Sequence, residues 1–400
     1  MGVSSYIIFG LLIFSAVGLI PLALPFQRIL RKWKLPKSSA DFFPPTVLVL
    51  SLRGADPELT RCLRSILNQD YPAYEVRIIV DSREDPAWPV VQAVLAEIPH
   101  PPKVSVSPLL SPFNTCSLKC SALIQALQDL SSDIQVVALV DADVIPHRTW
   151  LKELVAPLAD PQVGATMGNR WYQPSQGRWG SLLRYLWNAA TVHAMYLTKI
   201  PWGGTFALKT KFLRQANLLE KWRYSISDDV LIYSNLKELG LKLRFVATLM
   251  MVNQEECSLL NSTHFIHRQM LFLRLYHPKW RMISTVTLSY ALIQTIAWII
   301  LIGTLIKGDW VASLWMGGGL LGQSLILLAL LARVETALSA IFRTRGEFLS
   351  PWYRFRLLLA LPLTEFVYYG VIIWATFCRK VEWRGVCYQF SAPQEVQRMP

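Results

Sequence analysis

The chain has 400 residues, of which 52% are hydrophobic, and its formal net charge is +13. It is too apolar for an ordinary soluble enzyme, yet the stretch from about residue 40 to 280 is too polar to lie within a bilayer, so we expect one soluble domain with several transmembrane helices. The Lys and Arg residues cluster beside hydrophobic segments, which favours a membrane surface and an anionic substrate over a nucleic acid. The six cysteines form no Cys-x-x-Cys pair, a pattern that favours reduced thiols.

The first hydrophobic segment, Tyr6 to Phe26, is long enough to span a bilayer. Basic residues follow it and none precedes it, which is the reverse of the charge order in a cleaved signal peptide. The positive-inside rule then makes residues 1–27 an anchor with its N-terminus outside. It places a basic linker, residues 28–44 with Lys34 and Lys37, in the cytosol together with the domain that follows.

The soluble domain, residues 45–280, begins with strands and helices in alternation. Predicted strands cover 46–54, 74–80, 104–106 and 136–140, and predicted helices cover 57–68, 86–98 and 117–130. This order is typical of βαβ units and a parallel sheet. No Gly-x-Gly-x-x-Gly sequence follows the first strand, which argues against a dinucleotide site.

The strand Val136 to Val140 runs directly into Asp141-Ala142-Asp143. Residues i and i+2 of an extended backbone point to the same side, so both carboxylates can face one ligand beyond the carboxyl end of a strand. Two carboxylates suit a divalent cation that keeps water and substrate phosphates in its shell. An Asp-rich turn before the next helix is the alternative. Asp81 ends the second strand on the same edge, either as a contact to a nucleotide base or ribose or as a helix cap.

The second half of the domain is less regular. Gly203-Gly204 precedes a short apolar strand and indicates either a close approach of the backbone to a ligand or a simple turn. A helix is predicted over Ser225 to Leu239, with Asp228 and Asp229 in its first turn. The helix dipole would explain one of these acids, and two in a row ask for a further role. A helix over Thr263 to Tyr276 leads into the membrane.

Three further apolar stretches follow, at 283–306, 310–332 and 357–378, within a membrane region of residues 281–378. The connector 333–356, which contains Arg343 and Arg345, is predicted to be cytosolic and partly interfacial. If the last stretch crosses fully, the tail of residues 379–400 lies outside, yet its basic residues argue for the inside. Pro362 and Glu365 allow a re-entrant or interfacial placement, and the sequence leaves this open.

Four elements now stand in a fixed order: Asp81, Asp141-Ala142-Asp143, Asp228-Asp229, and Arg268-Gln269 on the helix before the membrane. Together they resemble the membrane-bound glycosyltransferases of family 2, most closely the ceramide glucosyltransferase type. The resemblance covers roughly residues 45 to 280 and the membrane arrangement. It implies an α/β GT-A domain, the nucleotide-diphospho-sugar transferase fold, with flanking transmembrane helices and a catalytic domain that faces the cytosol.

The resemblance also implies roles for single residues. Asp81 matches the aspartate that reads the uracil or ribose, Lys119 the lysine near the nucleotide, and Asp141 with Asp143 the pair that holds Mn²⁺ or Mg²⁺ on the diphosphate. Asp229 matches the general base. Asp228 stands where the family has Glu, and Gly203 with Gly204 resembles the acceptor-side loop. Trp383-Arg384-Gly385 resembles the Trp-Arg-Gly sequence that follows the membrane region in the family, and this match favours a cytosolic tail.

One motif departs from the family pattern. A (Q/R)xxRW sequence beginning at Arg268 would need Arg-Trp where this chain has Leu271-Phe272. Either Arg274 supplies the missing cation or the tract binds the diphosphate less tightly. The processive polysaccharide synthases rely on this motif, so its loss favours a single transfer to a lipid. Arg268 and Gln269 would still stabilise the diphosphate leaving group.

The expected reaction is a metal-dependent transfer of a hexose, in the first place glucose, from a UDP-sugar to the hydroxyl group of a membrane lipid. One base without a nucleophilic carboxylate predicts inversion and hence a β-glycolipid. The alternatives are a processive polysaccharide synthase and transfer to diacylglycerol or a hopanoid lipid. A non-catalytic scaffold would have lost Asp141, Asp143 or Asp229. His264 and His267 are expected near the lipid head group, and His193 either in the acceptor pocket or in the core.

Overall fold

The computed structural model describes residues 3–33, 41–342 and 351–399. Its strands are β1 (Thr46–Leu52), β2 (Tyr74–Val80), β3 (Lys103–Pro108), β4 (Val136–Val140), β5 (Val163–Tyr172), β6 (Thr205–Lys209), β7 (Lys242–Asn253), β8 (Lys380–Trp383), β9 (Val386–Ala392) and β10 (Glu395–Arg398). Its helices are α1 (Val3–Lys32), α2 (Leu59–Ile66), α3 (Ala87–Glu97), α4 (Leu118–Leu127), α5 (Trp150–Val155), α6 (Trp179–Thr198), α7 (Thr210–Gln215), α8 (Leu218–Trp222), α9 (Ile232–Glu238), α10 (Leu259–Tyr276), α11 (Trp280–Ile306), α12 (Trp310–Phe342) and α13 (Pro351–Phe377).

A mixed sheet forms the centre of the catalytic domain, with the strand order β3-β2-β1-β4-β6-β5-β7 in the described part of the chain. The predicted parallel sheet is confirmed for β1, which pairs in parallel with β2 and β4, while β6 runs antiparallel to both of its neighbours. Successive residues of the central strands enter different cores: Val47 and Val49 pack on one face, Leu48 and Leu50 on the other. Both faces are covered, which explains the unbroken apolar runs in the sequence.

The antiparallel strand β6 places the glycine pair beside the aspartates. Val140 at the end of β4 pairs with Thr205 at the start of β6, and the next backbone N–H, of Asp141, donates to the Gly204 carbonyl at 3.3 Å. The carboxyl end of β4 and the amino end of β6 therefore meet at one edge of the sheet.

The helix predicted over 225–239 is wrong in its first half. Only α9, from Ile232, is helical, and Asp228 and Asp229 lie in the loop before it. Serine side chains hold this loop in a non-helical form: the Ser225 hydroxyl donates to the Ser227 carbonyl at 2.7 Å, and Ser227 donates in turn to Asp229. Such local side-chain bonds compete with helical backbone bonds. The two acids are therefore not explained by a helix dipole.

Four helices within the described residues are long and apolar enough to cross a membrane: α1, α11, α12 and α13. The first three pack against one another, with Phe9 of α1 edge-on to Trp315 of α12 at 5.1 Å. α1 continues to Lys32, beyond the predicted anchor boundary at residue 27, and Leu30 on this added segment is buried in the same core as Phe26. Phe26 packs against His193 at 4.8 Å. His193 is thus a core residue, with its Nδ1 bonded to the Ala189 carbonyl at 2.8 Å.

Helix α13 contacts the catalytic domain at both of its ends. Arg356, near its start, donates to the Gly177 carbonyl just before α6. At its other end, Arg274 of α10 donates to the carbonyls of Thr376 and Cys378 at 2.6 and 2.8 Å. A helix held to one domain at both ends lies along that domain, which favours the interfacial placement left open by the sequence.

Parts of the two basic connectors fall outside the described residues, namely Lys34, Lys37, Arg343 and Arg345. The connector predicted from residue 333 is shorter than expected, because α12 continues to Phe342. A buried glutamate on this added segment, Glu335, accepts a hydrogen bond from the Tyr185 hydroxyl of α6 and joins α12 to the domain.

The tail, predicted as a separate segment of residues 379–400, folds onto the catalytic domain as the antiparallel sheet β10-β9-β8. Arg384 and Gly385 form the two-residue turn between β8 and β9 with φ of 52° and 73°, the geometry that suits the twist of a hairpin. The Arg398 guanidinium donates to Asn114 Oδ1 at 2.8 Å, and the Tyr388 hydroxyl accepts from the Leu118 N–H at 3.2 Å.

Candidate active site

A cavity of about 170 Å³ lies at the carboxyl ends of β1, β2 and β4. Its wall combines residues from across the chain, including β5, α10 and the hairpin of the tail. Among the residues that line it are five cations, Arg53, Lys119, Arg170, Arg268 and Arg384, and four carboxylates, Asp56, Asp81, Asp141 and Asp143. The mixture of both signs in one small cavity is suited to a ligand that is anionic and binds a cation.

Lys119 joins two of the predicted acidic elements. Its ammonium lies 2.7 Å from Asp141 Oδ1 and 3.2 Å from Asp228 Oδ2, and its side chain is 16% exposed. Burial alone would lower the pKa of Lys119, but the surrounding carboxylates of Asp141 and Asp228 raise it well above its ordinary value. Lys119 is therefore a permanent cation that holds the strand β4 and the loop before α9 together.

Asp141 and Asp143, which follow β4, differ in their ionisation. Burial would raise the pKa of Asp141, but the Lys119 ammonium outweighs it and keeps that pKa below its ordinary value. Within the described residues Asp143 forms no such ion pair: burial first, and then the charge of Asp141, raise its pKa to about 6, although the Arg170 charge opposes them. Asn253 Nδ2 donates to Asp143 Oδ2 over a long distance of 3.4 Å. At neutral pH Asp143 is thus ionised in a place where burial and Asp141 disfavour its charge.

These donor atoms fit a divalent metal ion. A cation beside Asp143 would offset the repulsion between the two carboxylates, and carboxylate oxygens are ligands that Mg²⁺ and Mn²⁺ accept. In the described residues no group of three or more His, Cys, Asp or Glu side chains forms a site of its own. Asp141 and Asp143 would therefore share the ion with ligands from the substrate and water.

Asp81 lies in the wall of the same cavity, as its position at the end of β2 predicts. Its carboxylate forms an ion pair with Arg53, which follows β1. Arg53 Nε donates to the Arg384 carbonyl at 2.8 Å, so the pair also supports the turn of the tail hairpin. Asp85, and not Asp81, accepts the hydrogen bond from the Ala87 N–H at the start of α3, and it also accepts from the Gly54 N–H. The alternative role of Asp81 as a helix cap is therefore wrong.

Asp229 and Asp228 occupy different environments. The half-buried Asp229 carboxylate accepts from the Gly203 N–H at 2.8 Å and from the Ser227 hydroxyl at 2.6 Å, which fixes its orientation. Asp228 is 4% exposed, and burial, reinforced by Asp229 and Asp141, raises its pKa to about 6 despite the ion pair with Lys119. Neither carboxylate lines the 170 Å³ cavity, although Lys119 connects Asp228 with it.

The glycine pair allows these groups to approach one another. A Cβ on Gly203 would lie 2.5 Å from Asp228 Oδ2, and a Cβ on Gly204 would lie 2.3 Å from the Trp202 ring and 2.8 Å from Asp141 Oδ2. All three distances are shorter than atoms tolerate, so close packing against Asp141 and Asp228 requires glycine here. The approach predicted from the sequence is therefore made to protein carboxylates.

The basic residues of α10 do not act as one motif. Arg268 lines the cavity, and its predicted contact with the diphosphate stays a prediction. Gln269 does not line it; its Oε1 accepts a hydrogen bond from Arg170 Nη2 at 2.9 Å. The suggestion that Arg274 supplies the missing cation is wrong: six residues after Arg268, it faces about 120° away around the helix and holds the end of α13. His267 also points away, stacked on Trp374 at 3.5 Å.

Sequence reasoning missed Arg170, Arg53 and Asp56, which also line the cavity. Arg170 follows a bulge in β5, where the pairing with β7 shifts between Met167 and Asn169. A Cβ on Gly168 would lie 2.1 Å from the Leu249 carbonyl oxygen, so the bulge depends on glycine. Bulges re-aim the side chains beyond them. A glycine within an apolar strand was the available signal.

A second, larger cavity of about 1500 Å³ adjoins the first. Asp143 and Arg268 line both cavities. The larger one extends along β7 and past His264 to Ile341 and Phe342 at the end of α12. It therefore connects the paired aspartates with an apolar helix that is long enough to span a membrane.

Comparison with known proteins agrees with this architecture. A sequence model of glycosyl transferase family 21 matches residues 11–396. Ceramide glucosyltransferases of Komagataella phaffii and Pyricularia oryzae are 35% and 32% identical to this chain over 79 and 94 residues, which is 19% and 22% of this chain. These stretches span 15% and 19% of the two relatives, so the chain matches less than a fifth of their length.

A solved structure shares the fold over most of the chain. The mannosyltransferase PcManGT from Pyrobaculum calidifontis, in complex with GDP-Man and Mn²⁺, covers 92% of this chain and 99% of its own at 16% identity, with a TM-score of 0.50. At that identity the likeness is one of fold. It confirms the predicted GT-A domain with apolar helices at both ends.

Proposed function

Because this chain belongs to glycosyl transferase family 21, we propose that it transfers a hexose, in the first place glucose from UDP-glucose, to the hydroxyl group of a ceramide-like membrane lipid. One observation carries the proposal: Asp143 lies where a small charged cavity meets a large one that reaches a membrane helix. The first suits a nucleotide-sugar and the second a lipid. The names of the two ceramide glucosyltransferases support the choice of acceptor.

The small cavity provides the donor site. Asp81, at the end of β2, would contact the uracil or ribose, and Arg268 would bind the diphosphate. Asp143 and Asp141 would hold Mn²⁺ or Mg²⁺, which when bound supplies positive charge to the leaving diphosphate. Lys119 keeps Asp141 ionised and in place for this contact.

The acceptor hydroxyl needs a base, and Asp229 is the better candidate of the two adjacent acids. It is partly exposed and oriented by two hydrogen-bond donors, whereas Asp228 is buried against Lys119. Asp229 takes the proton as the acceptor oxygen bonds to the anomeric carbon, and the bond from that carbon to the diphosphate oxygen breaks with its electron pair. A single displacement inverts the configuration and gives a β-glycolipid from an α-linked donor.

The acceptor would reach the site through the large cavity. Its lining includes Ile341 and Phe342 at the end of α12 and Met250 and Met251 of β7, beside the charged Arg268. The rest of the lining is largely polar and includes Glu255 and Glu256, so the apolar part is confined to a few residues, among them those at the end of α12. This division suits a lipid, whose head group reacts at the charged end while its chains stay near the membrane. The basic residues at the end of α1, Arg28, Arg31 and Lys32, favour a catalytic domain on the cytosolic side.

A transfer assay with radiolabelled sugar tests the proposal. Purified full-length protein in detergent with Mn²⁺ is given UDP-glucose, UDP-galactose or UDP-N-acetylglucosamine, each with ceramide or diacylglycerol. We expect one discrete glycolipid from UDP-glucose and ceramide. Asp229→Asn should lose this transfer, and Asp133→Asn, which changes an exposed acid remote from the cavity, is the control for general effects of losing a carboxylate.

The other outcomes are informative. A glycolipid formed only with diacylglycerol would retain the reaction and change the acceptor. A labelled polymer would replace the proposal by a processive polysaccharide synthase. Failure of every pair, in protein that binds UDP, would contradict lipid glycosylation by this site.

A further inference from the structure

We propose that Arg170 is a second diphosphate-binding cation of the donor site, and that Gln269 positions Arg170 without contacting the substrate. The inference deepens the proposed function and rests on it. It assigns a role to a strand residue outside the motif on α10 that the sequence singled out.

Arg170 and Arg268 differ from the other cations of the donor cavity. Arg53, Lys119 and Arg384 each form an ion pair with an aspartate of the same wall. Within the described ranges, Arg170 and Arg268 form none, although both are half-buried. A partly buried charge without a counter-ion is unfavourable unless a ligand supplies one.

The two unpaired guanidinium groups also act on each other. Burial first, and then the charge of Arg170, lower the pKa of Arg268 to about 10. Two neighbouring cations that repel each other in a cavity form a subsite for a multiply charged anion. A diphosphate carries charge on both phosphates and accepts the planar, bidentate hydrogen bonds that guanidinium groups make.

A strand bulge, a hydrogen bond and an aromatic ring hold Arg170 in this position. The Gly168 bulge turns it towards the cavity, Gln269 accepts from its Nη2 at 2.9 Å, and its guanidinium lies 4.8 Å from the centre of the Phe265 ring. An amide oxygen orients the cation but does not neutralise it, whereas a carboxylate would neutralise it. The charge therefore remains available to a ligand.

The position of Arg170 relative to the aspartates identifies which part of the donor it serves. It lines the cavity together with Asp141 and Asp143, and its guanidinium lies 5.7 Å from the centre of the Trp202 ring, which packs on Gly204 beside Asp141. Arg170 therefore lies at the end of the cavity where the metal ion and the diphosphate would be. The nucleoside end, at Asp81, has its own cation in Arg53. Arg170 should therefore act on the phosphates and leave the nucleoside unaffected.

The test compares the binding of UDP and uridine to full-length protein in detergent with Mn²⁺, by calorimetry. Arg170→Met keeps the apolar stem and removes the charge. Gln269→Glu adds a carboxylate that neutralises Arg170 in place. Arg244→Met, an exposed arginine on the adjacent strand β7, is the matched control.

We expect Arg170→Met to weaken UDP binding about tenfold or more and to leave uridine binding unchanged. Gln269→Glu should weaken UDP binding in the same selective way, while Arg244→Met binds as wild type. Equal losses for UDP and uridine would mean that Arg170 only shapes the cavity, and unchanged UDP binding would also overturn the inference. Wild-type protein that does not bind UDP would contradict the proposed function as well, whereas a result that contradicts the expectation only in the variants contradicts only the inference.

Discussion

Arg384 Nη2 donates to both carboxylate oxygens of Asp56, at 2.9 and 2.8 Å, although the two residues are 328 positions apart. Asp56 belongs to the loop after the first strand of the catalytic domain, and Arg384 to the hairpin turn beyond the last membrane helix. Trp383 and Arg384 line the donor cavity together. The tail therefore forms part of the wall of the candidate donor site.

Replacement of Arg384 by asparagine separates its charge from its role in the turn. Arg384 has φ of 52°, and asparagine adopts this conformation more readily than other non-glycine residues. We expect Arg384→Asn to keep the thermal unfolding midpoint of wild type within a few degrees and to weaken UDP binding several-fold, about 1 kcal/mol, since the lost cation was already paired. Arg379→Asn, exposed in the same tail, is the control; unchanged UDP binding in Arg384→Asn would show that the hairpin does not serve the donor.

The two ends of α13 should lie on the same side of the membrane. Both contact the catalytic domain, through Arg356 and through the carbonyls of Thr376 and Cys378. Single cysteines at the exposed positions Trp352 and Gln389, introduced after replacement of Cys378 and Cys387, can be labelled with an impermeant maleimide in sealed vesicles. We predict labelling from the side of the catalytic domain at both positions. Labelling of the two cysteines from opposite sides would mean that α13 crosses the bilayer.

The Asp143 carboxylate should lower the free energy of unfolding of the protein without metal or substrate. Burial and the charge of Asp141 raise its pKa to about 6, so at pH 7 the folded state holds a charge that it disfavours. In the absence of metal, we expect Asp143→Asn to increase the free energy of unfolding by up to about 2 kcal/mol and hence to raise the thermal unfolding midpoint. The same variant should lose transfer activity and the stabilisation that Mn²⁺ with UDP gives to wild type.

Chelation provides the counterpart to that variant. EDTA should abolish transfer by wild type, and added Mn²⁺ or Mg²⁺ should restore it. A wild-type enzyme that remains active in EDTA, or an Asp143→Asn protein that is still stabilised by Mn²⁺ with UDP, would contradict the assignment of Asp143 as a metal ligand.

His277 makes stability depend on pH. It is buried and stacked on Tyr233 at 5.4 Å, and burial, with the nearby Lys279 charge, lowers its pKa to about 4. The unfolded chain binds a proton near pH 6.5 and the folded chain near pH 4, so the unfolding free energy falls as the pH drops between these values. We expect a loss of up to about 3 kcal/mol over this window from His277.

Thermal unfolding at pH 7 and pH 5 checks this dependence. His277→Phe keeps the stacked ring and should reduce the difference between the two midpoints, while His267, whose pKa burial also lowers to about 4, accounts for part of what remains. His100→Phe, at an exposed position, is the control. An unchanged pH dependence in His277→Phe would show that His277 is not responsible.

The sequence predicted the parts of the site that follow directly from local pattern. The apolar strand before Asp141 and Asp143 fixed their place at the edge of the sheet, and Asp81 followed from the same rule. Asp228 and Asp229 were placed on a helix because acids are common in first turns, but serine hydroxyls hold them in a loop. Their distance from Lys119 depends on tertiary packing that no local pattern contains.

The missing parts of the site come from contacts distant in sequence. Arg170 depends on a bulge whose register is set by the partner strand β7, and Arg384 on a hairpin that returns across the whole chain. Arg274 was an attractive substitute for the absent Arg-Trp pair because it is near in sequence, but the turn of α10 directs it to α13. Helical geometry alone would have excluded it.

The most direct test of the account is the transfer rate of Asp229→Asn, measured beside its binding of UDP. The variant removes the base and keeps a side chain that can still accept from Gly203 and Ser227. We predict that sugar transfer to the lipid falls by about 10²–10⁴-fold while UDP affinity stays within a few-fold of wild type. A variant that transfers sugar at the wild-type rate would contradict the assignment of Asp229 and, with it, the mechanism proposed for this site.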